Sequence, residues 1–152
     1  MFTHILLAVD GSQVSLEAAR KGIALARCLR ANITVVVVTV PWAVYFAREL
    51  AVVVPDIVFP EAEYEAKRRA EVARLLSAIE AGAIAAGIPV KGVHRCHASP
   101  SRAIVELAEH ERCDLIVMAP HGEPGLGGFL VGSETMKVLT RSSIPVLVHR
   151  QG

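Results

Sequence analysis

Apolar side chains occupy nearly every position of the run NITVVVVTV, residues 32–40. A strand with one solvated face alternates apolar and polar residues, whereas a strand that is buried on both faces does not. Strands of the second kind belong to parallel sheets that are covered by helices on both sides. The run therefore predicts an α/β fold with a sheet between two layers of helices.

Four further segments have the composition of strands, and helical patterns separate them. The strand segments are HILLAV (4–9), PVKGVHRCH (89–97), DLIVMA (114–119) and PVLVHR (145–150). Helices are predicted from Leu16 to Leu29, over 61–86, from Pro100 to about 111, and over 133–141. Ser12 or Ser15 is placed to cap the first helix and Ser99 the third, while Gly87 and Pro89 end the second.

This alternation predicts a single doubly wound α/β domain spanning residues 1–152, with a five-stranded parallel sheet and right-handed crossovers. We expect the strand order 3-2-1-4-5, so that ligands bind beyond the ends of the first and fourth strands, where the order reverses. Residues 41–60 form a long apolar connection that holds the only Trp. A structureless loop of that length is unusual, so we expect a lid, an interface or a short extra helix there.

Composition excludes several classes of function. Hydrophobic residues make up 53% and charged residues 20%, and the net charge of +1 argues against a nucleic-acid or anionic-membrane binder. Arg48, Glu49 and Asp56 interrupt the apolar 33–59 region, which argues against a membrane span. The three cysteines, Cys28, Cys96 and Cys113, have no CxxC spacing, and the first residues lack the pattern of a signal peptide. We therefore expect a cytoplasmic protein.

The stretch APHGEPGLGGFLVGSE, residues 119–134, is the candidate binding loop. It follows the fourth strand, contains five glycines and leads into a predicted helix. Glycine permits a close approach of the backbone, and the first amide groups of a helix favour an anion. Between Gly122 and Met136 the only charged residues are Glu123 and Glu134, so the loop holds no cation. These features predict a phosphate site that relies on backbone amides and a helix end.

The chain contains the segments ILLAVDGS, DLIVMAPHG and IPVLVHR, and nine residues separate Gly122 from the pair Gly132-Ser133. With these segments it resembles the universal stress protein family over essentially the whole chain. The ATP-binding subgroup of that family carries Gly, two residues, Gly, nine residues, Gly and then Ser or Thr. Gly122 and Gly132-Ser133 fit this pattern, whereas Ala119 replaces the first glycine. The resemblance implies an adenine-nucleotide α-hydrolase-like fold.

The resemblance also implies a nucleotide site at the strand ends, in the glycine-rich loop and at the start of the next helix. Its residues would be Ala8, Val9, Asp10, Val40, Met118, Ala119, His121, Gly122, Gly125, Gly132, Ser133, Glu134 and Thr135. The implied ligand is ATP, with AMP and ADP as alternatives, and Mg²⁺ would be carried by the phosphates. We expect a regulatory or protective role in the stress response and no catalytic residues.

Several of these residues also have an ordinary structural interpretation. Asp10 is expected either to contact a sugar hydroxyl or phosphate-bound Mg²⁺, or to form an Asx-turn into the first helix. Glu134 is either a metal ligand or a favourable acid in the first turn of a helix. Val40 lines the adenine pocket or belongs to the core, and Ser133 binds phosphate or caps its helix.

Other functions find less support in the sequence. His94, Cys96 and His97 form a cluster of potential metal ligands, but alternation along a strand separates His97 from the other two. No GxSxG, Walker A or HExxH motif occurs. A slow ATPase or nucleotidyl transferase using Asp10 and His121 stays open as an alternative.

An edge strand is expected at the end of the chain. Pro145 to His149 would lie at the border of the sheet, where an apolar strand invites pairing with another chain. Universal stress proteins dimerise through this strand, so the resemblance implies a homodimer. A family member that binds no nucleotide and acts as a protein-interaction dimer is the second alternative.

Overall fold

The computed structural model describes residues 1–49, 60–120 and 132–151. The elements are β1 (His4–Ala8), α1 (Gln13–Leu29), β2 (Asn32–Thr39), α2 (Trp42–Glu49), α3 (Glu61–Ala85), β3 (Val90–Cys96), α4 (Pro100–His110), β4 (Leu115–Met118), α5 (Ser133–Arg141) and β5 (Val146–Val148). All five predicted strands and all four predicted helices are therefore present. The short extra helix expected within 41–60 is α2, while residues 50–59 lie outside the described part.

The five strands form one parallel sheet in the order β3-β2-β1-β4-β5, which confirms the predicted α/β fold and strand order. Ala8 at the end of β1 lies opposite Val36 on one side and Met118 on the other. The order reverses between β1 and β4, so the candidate loop and the Asp10 turn follow neighbouring strands. This edge of the sheet is the expected place for a ligand.

Helices cover both faces of the sheet, as the apolar run at 32–40 predicts. Ile5, Leu7 and Val35 point towards α1 and α3, within one buried cluster. Leu6 and Val36 point to the opposite face, where α4 and α5 cover a second cluster. Successive residues of β1 and β2 thus contribute to different cores, and this is why residues 35–38 of β2 are four consecutive valines.

The helix boundaries follow recognisable capping chemistry. Ser12, rather than Ser15, caps α1, because the Ser12 Oγ accepts the Ser15 amide at 3.2 Å. Gly87 adopts a positive φ of 74° just after α3, as a terminating glycine should. Ser99 occupies the expected N-cap position of α4, but its side chain makes no cap hydrogen bond. A carboxylate from α5 takes part of that role and is described with the site below.

Asp114 joins the starts of β1 and β4 at the opposite edge of the sheet. Its carboxylate accepts the amides of Thr3 (2.8 Å) and His4 (3.0 Å) and the Thr3 hydroxyl (2.9 Å). Burial opposes ionisation of Asp114, but these hydrogen bonds outweigh it and lower the pKa of the carboxyl. The ionised form therefore stabilises the fold.

We expect Asp114→Asn to lower the free energy of unfolding by about 1–2 kcal/mol at neutral pH, because one charged acceptor is lost. The folded pKa is depressed, so this contribution is present above the unfolded pKa and is lost as the pH falls through the folded pKa. Urea unfolding at pH 7 and at about pH 3 measures both values. Glu109→Gln, an exposed acid on α4, should have no effect at either pH. A stability difference between Asp114→Asn and wild type that does not change with pH would contradict this assignment.

Candidate functional site

The site is expected at the ends of β1 and β4, where the strand order reverses. Ala8, Val9, Met118 and Ala119 are all buried. The Val9 amide donates to the Val36 carbonyl at 3.0 Å, which extends the pairing beyond the end of β1. Four of the predicted site residues therefore have buried side chains at the ends of β1 and β4, and none of the four lines the cavity described below.

A tight turn follows β1 and leads into α1. Gly11 adopts a φ of 85°, a conformation that side chains other than glycine rarely accept. The Ser12 amide (2.9 Å) and hydroxyl (2.6 Å) donate to Asp10 Oδ1, and Asp10 N donates to the Ser15 hydroxyl at 3.3 Å. The Asx-turn expected as one interpretation of Asp10 is therefore formed. Asp10 nevertheless remains exposed and lines the cavity described below.

The amino terminus of α5 begins beside the end of β4. Gly132 is the N-cap, with φ −56° and ψ 154°. As a glycine it has no side chain that could accept a hydrogen bond from the first amides of α5. The Thr135 hydroxyl is buried and donates to the Ala119 carbonyl at 3.2 Å, which holds the helix start against the strand end. Ser133 is exposed. The structure thus places Gly132, Ser133 and Thr135 at the helix start beside the end of β4. Because Gly132 is the N-cap and no side chain caps the helix, the expectation that Ser133 caps α5 is wrong.

Glu134 turns away from the amino terminus of its own helix. Its Oε2 accepts the Ser101 amide at the start of α4 (3.0 Å), and its Oε1 pairs with Lys137 (2.8 Å). Burial raises the pKa of Glu134, but the bonds from Lys137 and Ser101 outweigh this effect and lower it overall. Both carboxylate oxygens are engaged by the protein. Glu134 therefore acts as a cap for α4 and a first-turn acid of α5, the second of the two interpretations given above.

A cavity of about 550 Å³ opens between the ends of β1 and β2 and the side of α3. Its apolar lining includes Val37, Val38, Val40, Val72 and Leu75. Its polar and aromatic lining is Asp10, Thr39, Tyr45, Tyr64, Arg68, Glu71 and Arg74. Val40 was predicted as a pocket residue, and it lies in this wall. The contributions of α2 and α3 were not predicted.

Two tyrosines and an arginine connect α2 to α3 at this cavity. The rings of Tyr45 and Tyr64 lie 5.2 Å apart, and the Arg68 guanidinium lies 5.7 Å and 5.4 Å from their centres. Arg68 also pairs with Glu71 at 3.0 Å, and the Tyr64 hydroxyl donates to the Val40 carbonyl at 3.0 Å. These contacts fix the side chains on this side of the cavity relative to one another.

Three predicted site residues, His121, Gly122 and Gly125, lie outside the described residues. The histidines of the HRCH segment have protein partners, since His94 Nε2 and Thr39 Oγ1 are 2.7 Å apart and His97 Nδ1 accepts the Ser99 amide at 2.8 Å. Burial lowers the pKa of His94 despite the nearby Glu65. Within residues 1–49, 60–120 and 132–151, no three His, Cys, Asp or Glu side chains cluster in a way that could hold a metal ion.

Comparison with known proteins identifies the family of the chain. The model of the Universal stress protein family matches residues 1–150. The chain belongs to this family. It is 35% identical to a universal stress protein of Thermus aquaticus over 151 residues, covering 99% of this chain and 100% of the relative.

Solved structures of the family share the fold. The protein MJ0577 of Methanocaldococcus jannaschii superposes with a TM-score of 0.79 and 26% identity, covering 100% of this chain and 98% of that one. A universal stress protein in complex with cAMP has a TM-score of 0.70 and 23% identity, with coverage of 98% and 97%. None of the helices that the structure describes is long and apolar enough to cross a membrane.

Proposed function

We propose that this universal stress protein binds an adenine nucleotide as a regulatory or protective component of the stress response. The observation that carries this proposal is the position of two complementary surfaces at one edge of the sheet. An apolar and aromatic cavity lies at the end of β2, and an uncapped helix start lies at the end of β4. One strand separates β2 from β4, so the two surfaces are roughly 10 Å apart. A nucleotide spans a comparable distance from its base to its phosphates.

The cavity is suited to a planar base. The valines from the end of β2 form one apolar wall, and Tyr45 with the apolar residues of α3 forms the other. Thr39 and Glu71 also line the cavity and are able to bond to the polar edge of a heterocycle. The family neighbour that is complexed with cAMP supports adenine as the base.

The start of α5 is suited to phosphate. Amides in its first turn have no acceptor within the helix, Gly132 leaves them uncovered by a side chain, and the helix dipole favours an anion there. Both carboxylate oxygens of Glu134 are engaged elsewhere, so we propose that Mg²⁺ is held mainly through the phosphates. ATP is the proposed ligand, with AMP and ADP as alternatives.

Calorimetric titration of the full chain with ATP, ADP, AMP and adenosine, with and without Mg²⁺, tests the proposal. We expect saturable binding of all three nucleotides, and mass spectrometry of the purified protein should detect retained adenine nucleotide. The absence of binding at millimolar nucleotide would refute the proposal. It would favour the alternative in which the protein is an interaction dimer without a nucleotide.

We further propose that the site binds its ligand without rapid turnover. Asp10 Oδ1 is held by the amide and hydroxyl of Ser12, a contact that serves the turn between β1 and α1. Phosphate release that depends on Asp10 would instead favour a slow ATPase.

The partner is proposed to be a second copy of the chain, and exposed apolar residues beside β5 support this. Unpaired thiols at Cys28, Cys96 and Cys113 are consistent with a reducing, cytoplasmic location.

A further inference from the structure

The four charged residues that line the cavity differ in their contacts with the rest of the protein. Arg68 is paired with Glu71 and lies over two tyrosine rings, and Asp10 Oδ1 accepts two hydrogen bonds from Ser12. The fourth charged residue of the lining is Arg74. Its side chain is exposed and makes no ion pair or hydrogen bond in the part of the chain that the structure describes. Arg74 is therefore the cation of this cavity with no protein partner among those residues.

Arg74 lies on the turn of α3 that approaches the end of β1, and it lines the cavity there. Its neighbour on α3, Leu75, approaches the turn after β1, because Leu75 Cδ2 lies 3.6 Å from where a Cβ on Gly11 would be. This turn of α3 therefore lies against the end of β1, and β1 separates the base cavity at β2 from the helix start at β4. Arg68 and Tyr64 lie about two and three turns earlier in α3. Arg74 thus flanks the path from the base to the phosphates.

The sequence of the binding loop creates a need for such a cation. Between Gly122 and Met136 it contains no Lys or Arg, only Glu123 and Glu134. Backbone amides and the dipole of α5 supply partial charges, which leaves most of the charge of a polyphosphate uncompensated by side chains of this segment. A guanidinium presents several donors to phosphate oxygens and keeps its charge at any physiological pH.

We propose that Arg74 is a specificity-determining residue, which contacts a phosphate of the nucleotide and gives the site its preference for charged nucleotides over nucleosides. This assignment rests on the proposed function. It supplies from α3 the positive charge that the glycine-rich segment lacks.

The test compares Arg74→Gln with wild type by calorimetric titration with ATP, AMP and adenosine. We expect the variant to lose affinity for ATP and AMP by about 5- to 10-fold, as loss of one charge-assisted bond predicts, and to bind adenosine as wild type does. Arg74→Lys should recover part of the lost affinity for ATP. Added salt should reduce the difference between Arg74→Gln and wild type.

Arg69→Gln is the matched control, since Arg69 is an exposed arginine on the same helix whose Nε donates to the Glu65 carbonyl, and it does not line the cavity. It should bind every ligand as wild type does. Equal losses for adenosine and ATP in Arg74→Gln, or no loss for either, would overturn the role of Arg74 while the proposed function stands. If wild type binds none of the three ligands, the proposed function fails and the role of Arg74 fails with it.

Discussion

Gly132→Asp is expected to reduce the affinity for ATP by about 10- to 100-fold while making the protein more stable. Gly132 is the N-cap of α5, and its φ of −56° is open to any residue. An aspartate there would accept the first-turn amides with its own carboxylate and would place a negative charge where the phosphates are proposed to bind. The same carboxylate should cap the helix and raise the free energy of unfolding by roughly 0.3–1 kcal/mol.

Two neutral variants separate the effect of the negative charge from the effect of an acceptor that occupies the first-turn amides. Gly132→Ala adds no acceptor and should leave ATP binding almost unchanged, whereas Gly132→Asn caps the helix without charge and should cause an intermediate loss. Adenosine has no phosphate and should bind all three variants as it binds wild type. Calorimetry gives the affinities and thermal unfolding gives the stabilities. Equal affinity of the Asp and Ala variants for ATP would show that the phosphates do not lie at the start of α5.

The elements of this fold could be predicted because their signals are local. The apolar run at 32–40 is explained by Val35 and Val36, which point into opposite cores. The start of α5 at Ser133 follows from the Gly132-Ser133 pair, and the end of α3 follows from Gly87. Right-handed crossovers leave few strand orders for a chain of this pattern, and the family resemblance selects 3-2-1-4-5 among them.

The wall of the cavity could not be predicted in the same way. Arg68 and Glu71 look like members of a solvated helix face, and only packing of α2 on α3 brings Tyr45 against Tyr64 and Arg68. The spacing of Tyr64, Arg68 and Glu71, three and four residues apart, was the available signal. Charged residues at helical spacing are typical of a solvated helix face, so this spacing alone does not indicate a cavity wall.

The direction of the Glu134 side chain could not be predicted from the neighbouring residues in the sequence either. Position in the first turn of α5 is compatible with a metal ligand at the phosphates and with a structural acid. The decision depends on Ser101, which lies 33 residues earlier in the chain and offers its amide at the start of α4. Contacts between two helix starts depend on how the helices pack, and the sequence around Glu134 carries no trace of that packing.

Leu147→Arg is expected to convert a dimer of this protein into monomers. β5 is the last strand of the sheet in the described chain, and it pairs only with β4 there. Val146 and Val148 pack towards the core beneath α5, whereas Leu147 is 41% exposed on the other face. Met136 and Leu139 on α5 are also exposed, at 46% and 39%. An apolar edge of this kind is suited to pairing with the same edge of a second copy.

Twofold symmetry makes the effect of this substitution large. In a twofold interface each residue occurs twice, so Leu147→Arg would bring two buried like charges into one interface. Ile84→Arg is the matched control, since Ile84 is 66% exposed on α3, a helix that covers the sheet on the β2 and β3 side. Light scattering after size exclusion should give a dimer for wild type and Ile84→Arg and a monomer for Leu147→Arg. Because Val146 and Val148 keep their packing, the monomer should unfold cooperatively and still bind adenosine. A Leu147→Arg protein that remains dimeric would place the interface away from β5.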